Sequence, residues 1–213
     1  MYRPSHFEEN RTEVLHALMR EHPLGQLVTR GPDGLDANPV PFELEPSSGP
    51  HGLLRAHVAR ANPVWQQAHD SEVLVIFQAA DGYISPNWYP SKPEHHRHVP
   101  TWNYQVVHAH GVLRVQDDER FLRGLVARLT REHEARSQQP RPWKMGDAPP
   151  DYIDGMLKMI VGIEIEVTRL VGKFKLGQNR ETRDRLGAAA GLEQRGADAL
   201  AQAMREASPK TGS

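Results

Sequence analysis

The alternation of apolar and polar residues changes period several times along the chain, and each change marks an element. From 8 to 21, Val14, Leu15, Leu18 and Met19 recur at the spacing of one helical face, and His22-Pro23 ends the segment. Residues 24–30 alternate weakly and meet Gly31-Pro32-Asp33-Gly34, after which 35–44 resumes extended character; this predicts a β-hairpin. Pro39 and Pro41 remove ladder donors from the second strand, which is therefore expected at a sheet edge or with a bulge. Residues 52–58 form the next strand. It runs into Asn62-Pro63, where Asn62 is placed to cap a short helix that has Pro63 at its first position.

The near-continuous apolar run 72–78 predicts a strand buried on both faces, continued by 83–85 past a turn at Asp81-Gly82. Residues 86–100 are rich in proline, aromatics and histidine without a period, which predicts an ordered functional loop. Residues 104–115 read as a long strand with Gly111 at a bulge. Phe121, Leu122, Leu125, Val126 and Leu129 follow at helical spacing, with Asp117 or Asp118 as the cap. A Pro-rich connection at 138–150 and a short helix at 152–159 precede a strand at 160–167, where Ile163, Ile165 and Val167 alternate with Glu164 and Glu166. Beyond 180 the Ala, Arg and Gln content, interrupted by Gly187, Gly191 and Gly196, predicts a surface helix pair with a frayed 208–213 end. Strands joined by short turns, with helices at the ends rather than between every pair, indicate an α+β, mainly β fold: an antiparallel Greek-key barrel with peripheral helices. The organisation expected is one domain at 1–180 and a helical tail at 181–213.

Composition narrows the chemistry. With 26 Lys and Arg against 27 Asp and Glu, the net charge of −1 provides no global field toward nucleic acid or an anionic membrane, so DNA contact needs a local patch. The absence of cysteine removes disulfides, thiolate metal sites and cysteine nucleophiles. No apolar run approaches the length of a membrane span, and the expected location is the cytoplasm.

Four clusters carry candidate chemistry. In 55–63 a strand delivers His57, Arg60 and Asn62 to a helix start, an arrangement suited to a phosphate and equally to a capped surface helix. Residues 83–90 and 99–104 concentrate Trp, Tyr, Asn, Ser and Thr, suited to a planar heterocycle or to a loop pinned by its own aromatics. His95, His96 and His98 lie beside Glu94, and His108 and His110 share one strand face, which makes a metal site only if a third ligand converges. Lys173, Lys175 and Arg180 make an anion site or a solvated basic edge. Neither a G-x-S-x-G elbow, a Walker loop nor an H-E-x-x-H helix is present.

Taken together, 53–63 (LLRAHVARANP), Tyr83-Ile84-Ser85-Pro86-x-Trp88-Tyr89, 99–104 (VPTWNY) and Gly172-Lys173-Phe174-Lys175-Leu176-x-Gln178-Asn179-Arg180 resemble the PaiB family of FMN-binding-like negative transcriptional regulators. Residues 2–7 and 16–25 are also similar, so the resemblance extends to about Arg180. It implies the FMN-binding split barrel shared with pyridoxamine-phosphate oxidases, a homodimer with flavin sites in its cleft, and FMN as cofactor. By the same resemblance His57, Val58, Ala59, Arg60 and Asn62 form the phosphate end. Ser85, Trp88, Thr101, Trp102, Asn103 and Tyr104 border the isoalloxazine, and Lys173, Lys175 and Gln178 reach the site within one subunit or across the dimer.

Three functions compete on this reading. The first is a homodimeric FMN-binding-like repressor, in contact with DNA directly or indirectly. The second is a flavin-dependent oxidoreductase of the pyridoxamine-phosphate-oxidase type, in which the flavin does the redox chemistry. The third is a metal or haem module using His57, His108 or His110. There is no helix-turn-helix signature, and Arg120, Arg123, Arg128 and Arg131 have acidic neighbours.

Overall fold

The computed structural model describes residues 1–207. In chain order its elements are β1 (Glu8–Glu9), α1 (Thr12–Glu21), β2 (Leu24–Gly31), β3 (Gly34–Pro41), β4 (Glu43–Glu45), β5 (Leu53–Ala59), α2 (Val64–Gln67), β6 (Glu72–Ile84), α3 (Lys92–His95) and β7 (Thr101–Gln116). There follow α4 (Glu119–Arg136), α5 (Pro150–Leu157), β8 (Ile160–Lys175), α6 (Thr182–Glu193) and α7 (Asp198–Glu206). The strand order is β3-β2-β6-β7-β8-β5-β4, and β1 pairs with β8 off this path. Two compact units share the chain. The first takes Met1–Leu18, Gln78–Val107 and the chain from Val171; the second takes Met19–Phe77 and His108–Leu170, so β6, β7 and β8 each contribute to both.

In the second unit the predicted hairpin forms with Leu24 opposite Pro41 and Gly31 opposite Gly34. β3 ends the strand order, which is where its two prolines can stand without breaking a ladder on both sides. Period-two alternation sends Leu54, Ala56 and Val58 of β5 into the core and leaves Leu53, Arg55 and His57 on the other face. β5 pairs antiparallel with β8, His57 opposite Gly162. Leu27, Leu54, Val75, Phe77, Leu113, Ile163 and Ile165 are fully buried and form this core. Gly111 serves close approach rather than the predicted bulge: a Cβ there would collide with the carbonyl oxygen of Glu166 and with Ile165.

Other boundaries move for physical reasons. Asp81-Gly82 makes no turn, because β6 runs unbroken through both residues. A Cβ at Gly82 would lie 2.9 Å from Leu200 and 3.2 Å from Leu192, so the glycine makes room for α6 and α7. β8 continues past Val167 to Lys175 and carries Lys173 and Lys175 within the strand. The helix pair is exposed on one side only and packs its other face inward. Ala188, Ala189 and Leu192 of α6 and Leu200, Ala201 and Met204 of α7 are buried. The predicted frayed end at 208–213 lies outside the described residues.

The Pro-rich loop of the first unit is held by a buried carboxylate. Ser85 accepts from Asn87 N at 3.2 Å and caps a 3₁₀ turn over Pro86–Trp88. Further on, Ser91, fully buried, donates its hydroxyl to Asp184 Oδ2 at 2.6 Å and its backbone N–H to Oδ1 at 3.0 Å. With its single proton committed to Asp184, Ser91 Oγ accepts from His98 Nε2 at 2.8 Å, which leaves His98 Nδ1 as an acceptor. Trp88 lies over α6 where Gly187 and Gly191 remove the side chains that would block it; a Cβ at Gly191 would collide with the indole.

Burial pushes the Asp184 carboxyl up, but its two bonds from Ser91, reinforced by His98 and Arg183, offset this and hold it below its ordinary value. A carboxyl depressed in the folded state contributes stability above its unfolded pKa and loses it as pH falls through the folded one. Urea unfolding is expected to show Ser91→Ala less stable by about 1–3 kcal/mol at pH 7. Asp184→Asn should be destabilised at pH 7 and show a flatter loss of stability than wild type below about pH 4. Gly111→Ala should cost about 3 kcal/mol, the upper end for overpacking. Gly146→Ala, whose Cβ would meet nothing within 4 Å, should stay within about 0.5 kcal/mol.

Candidate functional site

The predicted site residues divide between the two units. His57, Val58, Ala59, Arg60 and Asn62 lie in the second, at the end of β5. Here the strand-to-helix turn is tied to its own surroundings. Arg60 donates from Nη1 to Asp117 Oδ2 at 2.9 Å and from Nη2 to Oδ1 at 2.6 Å. It also donates from Nε to Lys158 O at 2.8 Å and from Nη2 to Ile160 O at 3.0 Å. The Arg60 hydrogen bond holds Asp117 below the ordinary carboxylate range. An anion at this turn would compete with Asp117 for the guanidinium. Asn62 accepts from Val64 N at 3.0 Å just ahead of α2 and donates to Asn38 Oδ1 at 2.8 Å, so its amide is engaged at both ends. The helix itself begins one residue later than the sequence suggests, at Val64.

Val58 points into the core and Ala59 is exposed. His57 is different. Its Nδ1 is buried without a hydrogen-bond partner among the described residues, and burial lowers its pKa, which favours the neutral ring. His108 and His110 also fall below the ordinary histidine value, chiefly through burial. Their ring centroids are 6.4 Å apart. Among the described residues no group of three or more His, Asp or Glu is placed to hold a metal ion.

The remaining predicted residues lie in the first unit. Alternation along β7 separates them: Thr101 and Asn103 line a cavity of about 200 Å³, whereas Trp102 is 56% exposed on the opposite face. Trp102 meets Tyr83 edge to face with centroids 6.2 Å apart, and Lys173 Nζ stands 5.5 Å from the Tyr104 ring centroid. Lys175 enters the cavity and donates to Thr101 Oγ1 and, at 2.7 Å, to Trp102 O. Burial comes first among the causes that lower its pKa, followed by Lys173 and Arg180. Asn103 donates to Met204 Sδ at 3.3 Å.

Gln178 has a local task. Its Nε2 donates to Phe174 O at 2.7 Å and its Oε1 accepts from Leu176 N at 2.8 Å, which closes the turn after β8. Ser85 and Trp88 are likewise engaged, one as a cap and the other against α6. The cavity is completed by Phe7, Tyr89, Arg180 and Arg185. Arg180 lies 5.4 Å from the Tyr89 ring centroid and donates to His98 Nδ1 at 3.5 Å. The sequence offers Arg180 to an anion site with Lys173 and Lys175, Tyr89 to the aromatic cluster and His98 to the histidine group, and gives no sign of Arg185. Only an alternation argument carried from β8 into α6 would have joined them, and that needs the intervening turn.

Comparison with known proteins fixes the family. The model described as "Putative FMN-binding domain" matches residues 1–169. A protein of Emericella nidulans is 33% identical over 243 residues, covering 97% of each chain. The protease synthase and sporulation protein PAI 2 of Bacillus subtilis is 31% identical over 185 residues, covering 86% of this chain and 85% of its own. Among solved structures, the FAD and heme binding protein of Mycobacterium smegmatis superposes with a TM-score of 0.54 at 17% identity, covering 87% of this chain and 80% of its own. That likeness concerns the fold, which is the α+β split barrel of the flavin-binding proteins. With the family model spanning most of its length and a PaiB protein among its relatives, the chain belongs to the PaiB family of FMN-binding-domain proteins.

Proposed function

We propose that the protein is a homodimeric, FMN-binding regulator of the PaiB type that acts in the cytoplasm and represses its targets indirectly. The observation that carries the flavin part is the Tyr83–Trp102 pair, 41% and 56% exposed and in edge-to-face contact within the first unit. Large aromatics held outward in a fixed geometry cost free energy in water and are accounted for by a planar ligand or a second subunit. At about 200 Å³ the neighbouring cavity is smaller than the roughly 300–1,000 Å³ of sites that enclose a cofactor-sized ligand. The ring system would therefore lie on the aromatic face, with Tyr104, two residues beyond Trp102 on β7, as its neighbour. Bound there, FMN would supply electron or hydride transfer.

Regulation finds support in the Bacillus subtilis relative, whose name ties it to protease synthesis and sporulation. An indirect route is favoured by the charge on α4. Arg123 is paired with Glu119 and Asp154, and Arg128 forms a fork with Glu43, so these cations are already neutralised. No helix among the described residues is long and apolar enough to cross a membrane. The second reading, a flavin-dependent oxidoreductase, is favoured by Lys175, a cation of lowered pKa beside Thr101.

FMN titration is expected to give saturable fluorescence quenching, with Trp102→Ala weakening binding about tenfold, or ~1.4 kcal/mol. Sedimentation should give twice the 24.0 kDa chain mass. An unquenched titration would remove the flavin assignment, and a monomer at micromolar concentration would remove the dimer. Nicotinamide oxidation above that of free FMN would favour the oxidoreductase reading instead.

A further inference from the structure

The cavity of the first unit has a charge imbalance that its own lining does not compensate. Lys175, Arg180 and Arg185 line it, and no Asp or Glu is among its described lining residues. Other arginines of the same unit show the contrast. Arg11 is held by Glu9, Arg183 by Glu94 and Glu181, and Arg205 by Glu193. For Lys175, Arg180 and Arg185 the described residues form no such pair with a carboxylate.

Arg185 makes the imbalance costly. It is only 5% exposed, and its Nη1 donates to the carbonyls of Met204 and Arg205 at the end of α7. Those carbonyls satisfy one end of the guanidinium and carry partial negative charge. Its Nε is buried with no hydrogen-bond partner among the described residues. Burying a cation without a counter-charge is unfavourable, and an anion within reach offsets the cost. Lys175 uses only neutral acceptors, Thr101 Oγ1 and Trp102 O. Arg180 faces a histidine nitrogen and the Tyr89 ring. The nearby acid, Asp184, is taken by Ser91 and lies 3.9 Å from His98. The rest of the lining is apolar or neutral: Phe7, Val99, Pro100, Ala188, Met204, with Asn103 and Asn179 as amide donors.

We propose that this cavity is a binding site for a small organic anion, a phosphate or carboxylate head on a short apolar body, gripped by Lys175, Arg180 and Arg185. The head sits among the three cations, and the body meets Phe7, Val99 and Met204. Its volume of about 200 Å³ suits such a ligand and is too small to enclose a whole flavin. The site belongs to apo protein and stands whether or not flavin binds.

The test is thermal unfolding of the full-length, flavin-free chain with inorganic phosphate, and separately with propionate, at constant ionic strength set by chloride. Wild type should be stabilised saturably by one or both anions, by roughly 5–10 °C at a hundredfold excess over Kd. Arg180→Gln and Lys175→Gln should each weaken that binding at least tenfold, while Arg183→Gln, which removes an exposed pair with Glu94, should leave it unchanged. Absence of saturable stabilisation in a folded wild type, or equal stabilisation of the Arg180→Gln and Arg183→Gln variants, would overturn the site. Comparison of FMN with riboflavin then separates the sources. Phosphate that competes with FMN but not with riboflavin would identify the head as that of the flavin itself, and phosphate bound alongside FMN would identify a separate small-molecule anion.

Discussion

The order of the first unit depends on the Asp184 carboxylate and the two hydrogen bonds it receives from Ser91. A loop with prolines at 86, 90, 93 and 100 cannot make a regular ladder or a long helix, so it has to be fixed by side chains. Asp184 supplies that fixation from α6, and the hydroxyl of Ser91 passes it on to His98 and then to Arg180. One side of the cation-lined cavity is thereby set by a chain of hydrogen bonds that starts at a buried acid. Networks of this kind are stabilising only when every member is satisfied.

Charge is handled differently at the two places where arginine was expected to matter. At the end of β5, Arg60 is forked against Asp117 and bridges to the carbonyls of Lys158 and Ile160. It behaves as a clip that closes a turn. Around the cavity, Lys175, Arg180 and Arg185 are brought together with hydroxyls, carbonyls and rings in place of carboxylates. A guanidinium already given to an acid holds the fold, whereas one facing neutral partners keeps its field for something else.

Much of the architecture was legible because apolar periodicity is a local property. The hairpin at β2 and β3, the edge position forced by Pro39 and Pro41, the Asp118-capped helix and the alternation of β8 all follow from residues within a few positions of one another. What failed to show was long-range. Gly82 and Gly111 read as a turn and a bulge, since a glycine announces freedom of the backbone and not what approaches it. Arg185 and Asp184 sit in a segment whose Ala, Arg and Gln content suggests a surface helix pair, yet both are buried because α6 packs against α7 and the loop. Of the predicted site residues, Thr101, Asn103 and Lys175 meet at one cavity, and Gln178, Ser85 and Trp88 turn out to be engaged in holding local structure.

The glycines of α6 bear on the order in which the unit forms. Gly187 and Gly191 are one helical turn apart, under Trp88 and Pro90, and each lowers intrinsic helix propensity by about 1 kcal/mol relative to alanine. A helix weakened on that side has little tendency to exist before its partner arrives, and the partner lies some ninety residues earlier in the chain, as Ser91 and Asp184 mark. α6 and the loop at 86–100 are therefore expected to form together, each depending on the other. Closing a stretch of that length exacts most of its entropy before any contact repays it.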